Sequence, residues 1–245
     1  MIIGLIPSRL NSKRLKQKPL IKIDGLPIVV HTFKRAMMSK KLNDVYVCTD
    51  SYKIADVVKK YGGKFIMTSK WHKNGTERIY EGLKKLKKKT KLVLDIQGDE
   101  PTVSPRDIDK IISYHLKNMQ YDLIIPHIQI KYSKNYNQVK IISNKKGRIL
   151  YLTRANAPHN FKGKNKTLKK HLSVISFKPQ ALKQYNKTRQ SELEKLEGIE
   201  LLRSLENSQK IGTFELKSEA CAVDVKKDIN QVKNFLKIDK IRKFY

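Results

Sequence analysis

Five short apolar runs, IIGLIP, DVYVCTD, KFIMTS, KLVLDIQ and DLIIPHIQI, alternate with segments of helical period at roughly 27–39, 51–61, 76–88 and 105–118. No other feature limits the fold so strongly. A strand that passes through a crossover helix and returns to its own sheet does so in parallel and with a right-handed turn. The pattern therefore predicts the α/β class, with a mostly parallel central sheet and flanking helices. Ser104 and Pro105, followed by Asp107 and Asp109, mark a helix start, and Gly62 and Gly63 in YGGK mark a helix stop. After about residue 120 the rhythm changes. NQVKIISNKKGRILYLTRA reads as a hairpin turning at Asn144 to Gly147, followed by a Lys/Asn-rich loop at 160–167 and a strand in HLSVISF. A helix around 190–206 collects Leu193, Leu196, Glu197, Glu200, Leu201 and Arg203 on a mixed face, and DINQVKNFLKIDKIRKF closes with an amphipathic helix. The second half is expected to hold a smaller antiparallel excursion.

A length of 245 residues suits a single domain with a real core. Hydrophobic content of 39% with 11 Gly and 8 Pro excludes a low-complexity chain, and no apolar run approaches the roughly 18 residues of a spanning helix. MIIGLIPSRL has no basic segment ahead of its apolar run, which is too short for a secretory leader, so it reads as a first strand. Cys48 and Cys221 stand far apart without CxxC spacing, which fits neither a disulfide framework nor zinc and suits a reducing cytoplasm. The formal charge of +31, from 53 Lys+Arg against 22 Asp+Glu, raises nucleic acid as a partner. Lysine greatly outnumbers arginine and is spread along the chain, whereas base readout relies on arginine and on focused patches. The densest run, KKLKKKTK at 84–91, matches the polar face and end of a helix. The charge thus reads mainly as a background lysine bias.

Three segments carry chemistry. In IPSRLNSKRLKQKPL a strand ends near Pro7, and the following loop supplies Arg9, Lys13, Arg14, Lys16 and Lys18. Backbone N–H groups and cations converging at a strand end suit a polyphosphate, although neither common glycine-rich phosphate motif is present and a solvated basic turn would look the same. In NGTERIYEGL, Gly75, Thr76, Glu77 and Arg78 read as a capped helix start with an acid in its first turn. LVLDIQGDEP places Asp95, Asp99 and Glu100 at the end of a buried strand in a strongly basic chain. The carboxyl end of a central strand is where an α/β sheet opens its ligand crevice. Mg²⁺ takes one or two carboxylates together with substrate phosphates, so Asp99 beside a basic loop is chemically apt. Asp224, in ACAVDVKKD, would complete a pair if the fold brought it to Asp99; otherwise it reads as a turn or N-cap residue.

Taken in order, IPSRLNSKRLKQKPL, NGTERI, DIQGDEP, LYLTRANAP, KHLSVISF, LEKLEGIELLR and AVDVKKDI resemble the signature segments of the 3-deoxy-manno-octulosonate (Kdo) cytidylyltransferase family, from the first strand to about residue 235. The resemblance implies a nucleotide-diphospho-sugar transferase-like fold, with a nucleotide part at about 1–120 and a sugar-binding and dimerisation part at about 121–210. It implies a Mg²⁺-dependent homodimer that transfers CMP from CTP to the anomeric hydroxyl of Kdo, an acidic ulosonic sugar, with release of pyrophosphate for lipopolysaccharide or capsule synthesis. On matching positions, Arg9, Arg14 and Lys18 resemble the triphosphate cations, with the backbone of Pro7 and Ser8 near the base and Arg78 among the nucleotide contacts. Asp99 and Asp224 resemble the metal pair, and Lys18, Arg14 and Asp99 the catalytic set. Gln97 resembles a sugar or nucleotide contact, and His171, Glu197 and Glu200 lie where the family grips the acid sugar.

Several positions depart from that pattern. Lys16 and Gln17 stand where the family has proline and glycine, Ile175 where it has tyrosine, Leu201 where it has glutamine, and Ala220 and Ala222 where it has glycines. Most of these remove polarity or backbone freedom on the sugar side and leave the nucleotide motifs intact. The acceptors in view are therefore Kdo, its 8-amino analogue and a sialic-type nonulosonic acid. A basic nucleic-acid-binding protein on a degenerate transferase scaffold is the reading from a different class.

Overall fold

The computed structural model describes all residues except 12, 13, 162 and 164–166, so Lys13 and part of the Lys/Asn-rich loop lie outside the described residues. The first half alternates as its apolar runs predict. Strand β1 (Ile2–Ser8) is followed by a short hairpin of β2 (Lys22–Ile23) and β3 (Leu26–Pro27) and by helix α1 (Ile28–Met37). Then come β4 (Asp44–Thr49), α2 (Tyr52–Lys60), β5 (Lys64–Met67), α3 (Gly75–Leu86), β6 (Leu92–Asp95) and α4 (Pro105–Lys117). The second half contains β7 (Leu123–Ile124), β8 (His127–Lys131), β9 (Lys140–Ser143), β10 (Ile149–Thr153), β11 (Thr167–His171) and β12 (Ile175–Phe177). It ends with α5 (Pro179–Lys187), α6 (Glu192–Glu197), α7 (Leu202–Glu206), β13 (Ile211–Gly212) and α8 (Lys226–Ile238).

Seven strands form the large sheet in the order β13-β7-β12-β6-β1-β4-β5. Only β12 runs antiparallel to its neighbours. Strand β1 is central and buried on both faces: Ile3 and Leu5 face one core with Val93 and Ile79, whereas Ile6 faces the other with Val29, Phe33 and Ile108. Two-sided burial explains why parallel strands read as unbroken apolar runs and not as alternating ones. Each such side chain contributes about 1.5–3 kcal/mol. From β1 the chain builds outward through β4 and β5, then crosses back to place β6 on the other flank of β1. That reversal opens a crevice beyond the carboxyl ends of β1 and β6.

The antiparallel excursion is a separate four-stranded sheet, β10-β9-β11-β8, and its β9–β10 turn sits at Asn144–Gly147 as the sequence suggested. Two expectations need correction. HLSVISF is not one strand: β11 ends at His171 in the small sheet, and β12 begins at Ile175 in the large one. At the end of β11 the His171 amide donates to Val139 O; between the two strands the Leu172 amide donates to Pro126 O, and Leu172 and Val174 are buried in the core. An apolar run cannot reveal that its hydrogen-bonding partners change midway. The helix at 190–206 is likewise two, α6 and α7, because Gly198 takes a left-handed φ of 62° that ends the first.

Candidate active site

The loop after β1 and the loop after β6 face one another across the crevice. Gly98 permits this closeness, since a Cβ there would lie 2.7 Å from the Pro7 carbonyl oxygen. Between the loops lies a cleft of about 470 Å³ lined by Pro7, Ser8 and Gly75 and by the cations Arg9, Arg14 and Lys18. Arg78, Asn74 and His72 come to it from α3 and the preceding turn. A second cleft of about 570 Å³ lies toward the small sheet and is walled by His171, Glu200, Leu201, Ile175 and the 216–224 segment. Among the described residues, Gln97 and Asp99 alone line both clefts. A group bound in one therefore meets a group bound in the other at these two residues.

Asp224 does come to Asp99. The Val223 amide donates to the Asp99 carbonyl at 2.9 Å, hanging the C-terminal segment on the loop after β6. Lys18 Nζ lies 2.6 Å from Asp99 Oδ2 and 3.4 Å from Asp224 Oδ1, and Arg14 adds a second cation to Asp224 at 2.7 Å. Two carboxylates are thus held around one ammonium at the point where the clefts join. Asp224 is also kept in place from behind, because its own amide and that of Val225 both donate to Asp228. Among the described residues no cluster of three or more His, Cys, Asp or Glu side chains could hold a metal unaided. Two carboxylates beside a basic cleft fit Mg²⁺, which completes its shell with substrate oxygens.

The other acids of QGDEP have different places. Asp95 is fully buried beneath the crevice and lines neither cleft. Glu100 lines the second cleft but accepts a hydrogen bond from Ser173, and burial pushes its carboxyl up to about 8. Of the three acids at the end of β6, only Asp99 faces the lysine.

The remaining candidates divide. Arg78 lines the first cleft, but its guanidinium is buried and bonds Thr68 Oγ1 and Asp50 Oδ2 at 2.7 and 3.0 Å. His171 ends β11 in the wall of the second cleft, and burial lowers it to about 4, so it is a neutral imidazole at physiological pH. Glu200 shares that wall, with burial pushing its carboxyl up to about 7. Glu197 lines neither cleft: its carboxylate accepts from Thr153 Oγ1 at 2.7 Å and from the Arg154 amide at 2.9 Å, fastening α6 to the end of β10. Ile175, Leu201, Ala220 and Ala222, four of the positions that depart from the family pattern, all line the second cleft.

Sequence reasoning missed the support of α3. Asn74 is the N-cap, accepting from the Glu77 amide at 2.9 Å while its side-chain amide donates to Tyr185 Oη at 2.9 Å. Arg203 stacks over the Tyr185 ring at 4.2 Å and grips Glu194 through two bonds of 2.7 Å. This chain fixes the wall that carries Asn74 and Gly75. Glu194 and Arg203 lie nine residues apart on two helices, so no helical spacing signals the pair.

A mostly parallel sheet with a basic loop and an acid pair at its switch point suits nucleotidyl transfer, and the comparisons with known proteins place the chain in that class. A Cytidylyltransferase family model matches residues 3–211. The 3-deoxy-manno-octulosonate cytidylyltransferase of Rickettsia typhi is 35% identical over 94% of this chain and 95% of its own length, and the mitochondrial one of Arabidopsis thaliana is 32% identical over 96% and 83%. A solved structure described as CMP:2-keto-3-deoxy-manno-octonic acid synthetase complexed with CTP superposes with a TM-score of 0.92 at 27% identity, covering 96% of this chain and 98% of that one. The chain belongs to the Kdo cytidylyltransferase family.

Proposed function

We propose that the protein transfers CMP from CTP to the anomeric hydroxyl of Kdo and releases pyrophosphate. The observation that carries this reading is Lys18 held between Asp99 and Asp224 where the two clefts join. In the transfer the sugar oxygen forms a bond to the α-phosphorus, the bond from that phosphorus to the bridging oxygen breaks, and the hydroxyl proton leaves to solvent. Negative charge gathers on the departing pyrophosphate, so cations lining the cleft that holds it would stabilise the transition state. Arg9, Arg14 and Lys18 line the cleft in which the triphosphate would lie, and the backbone of Pro7 and Ser8 floors its inner end. Asp99 and Asp224 would hold Mg²⁺, which when bound polarises the phosphate oxygens. Gln97, His171 and Glu200 would line the acceptor's cleft.

A homodimer formed through the small sheet is part of this reading. β10 is an edge strand with Leu150 57% exposed, and Leu196 on the neighbouring α6 is 83% exposed. Cytoplasmic action and supply of lipopolysaccharide or capsule synthesis complete it; among the described residues no helix is long and apolar enough to cross a membrane.

The test is pyrophosphate release by purified protein with CTP and Mg²⁺ against Kdo, its 8-amino analogue and a sialic acid. Turnover with Kdo is expected. Turnover with another sugar alone would move the acceptor, a change the four substitutions in the second cleft would accommodate. Silence with all three, joined to steeply salt-dependent retention on nucleic acid, would replace the reading by the binding-protein one.

A further inference from the structure

Asp95 is an acid with no cation. It ends β6 with no exposed surface; Oδ1 accepts from Gln97 Nε2 at 3.0 Å, and Oδ2 has no partner among the described residues. The groups that face it are acids: Glu200 from the loop between α6 and α7, and Glu100 and Asp99 from the loop after its own strand. Cys48 on β4, whose thiol also feels Asp95, is itself buried and pushed up to about 12, so it is neutral. The buried guanidiniums on α3 and α7 are committed elsewhere, Arg78 to Asp50 and Arg203 to Glu194, while Lys18 lies between Asp99 and Asp224. Gln97, the one side chain that Asp95 bonds, lines both clefts.

We propose that Asp95 is a positioning residue for the transfer, fixing the Gln97 amide through Oδ1 so that Gln97 presents its Oε1 acceptor to the acceptor hydroxyl at the junction of the clefts. The inference rests on the cytidylyl transfer proposed above. Without the bond to Asp95, the two ends of a glutamine amide exchange by a half-turn about the last side-chain torsion, which would place a donor where the reacting hydroxyl needs an acceptor. The proton of Asp95 sits on Oδ2. An ionised carboxylate in that place would face three acids with no compensating charge, and burial accordingly drives its pKa well above the usual range. In this state Asp95 offers one acceptor and one donor, as an asparagine would.

The test compares Asp95→Asn, Asp95→Leu, Gln97→Ala and the Asp95→Leu/Gln97→Ala double variant in the full-length protein. With CTP and Kdo, Asp95→Leu is expected to lower kcat about 10- to 100-fold while changing the KM for CTP by less than about threefold. Asp95→Asn should stay within about threefold of the wild type. In the Gln97→Ala background the leucine should cost no more than about twofold further, since its effect runs through Gln97. Wild-type kcat in Asp95→Leu, an asparagine variant as poor as the leucine one, or multiplying losses in the double variant would each overturn the assignment. Asp95→Ala, which removes the acceptor without adding bulk, replaces the leucine variant if that one does not fold.

A second measurement needs no turnover. A carboxyl whose pKa is raised on folding contributes stability that is present below its unfolded pKa and is lost as pH rises toward its folded pKa. Asparagine has no such loss, so the Tm of Asp95→Asn should exceed that of the wild type by a margin that grows between pH 5 and pH 8. A margin independent of pH would show that residue 95 is not held as the acid. If the wild type is silent with every ulosonic acid, the reaction has been misread, and the Tm comparison still decides the state of Asp95.

Discussion

Replacing Lys18 by methionine removes one ammonium and keeps most of the side chain's length and packing. In the free protein Lys18 is the cation bonded to Asp99, whereas Asp224 retains Arg14. The Asp99 side chain is 33% and that of Lys18 13% exposed, so water takes over the carboxylate's solvation when the lysine goes, and the stability lost is that of a partly buried, partly screened pair, about 1 kcal/mol. In a chain of this size that lowers Tm by about 2–4 °C. The rate should suffer far more. A charge-assisted donor aimed at developing phosphate charge is worth about 2.7–4 kcal/mol, or about 10²- to 10³-fold in kcat. The paired assay is a thermal melt beside steady-state pyrophosphate release at saturating CTP and Kdo. A small melt shift with a large rate loss is the expected signature. A kcat within about threefold of the wild type would refute the placement of Lys18 against the transition state, and a melt shift above about 10 °C would make it a structural residue instead.

Asp99→Asn and Asp224→Asn should each lower turnover by at least about 10³-fold while leaving the melt nearly unchanged, and each should weaken Mg²⁺ binding measured by titration in the presence of a non-hydrolysable CTP analogue. Wild-type metal affinity in either variant would remove that residue from the metal pair. Arg203→Leu strands the buried Glu194 carboxylate and should cost about 3–5 kcal/mol by denaturant unfolding, with Glu194→Gln in the same chain restoring part of it; a loss below about 1 kcal/mol would refute the buried-pair account. Gln17 holds a left-handed φ of 52° just before Lys18, so Gln17→Gly should stabilise the protein by about 0.5–1 kcal/mol, and a loss of stability would show that its side chain makes a compensating contact.

The alternation of apolar runs with helical segments was enough to read the sheet, because strands buried on both faces leave unbroken runs such as LVLD. It was not enough where tertiary pairing decides. HLSVISF changes sheets within an apolar stretch, and the 190–206 helix breaks at a glycine whose φ no periodicity shows. Within the site, the basic loop and Asp99 were legible from type and position. Only the resemblance joined Asp224 to Asp99, since their link is a backbone bond and a shared lysine between distant parts of the chain. Glu197 was misleading because a carboxylate that fastens a strand end looks, in sequence, like one that awaits a ligand. Arg203 and Tyr185 left no local signal, for they support the wall of the first cleft through Asn74.

The order in which the chain is made gives the bond between Val223 and Asp99 a further meaning. Every strand of the large sheet has been synthesised by Gly212, before Asp224 is added. A growing polypeptide therefore possesses the floor of both clefts while it still lacks one of the two carboxylates. That carboxylate arrives only when the last segment settles, with Val223, Val232 and Leu236 packing on Ile23 and Ile28. A chain that stops short of Asp224 carries the basic loop and Asp99 but not the second carboxylate, so both acids come together only in the finished fold.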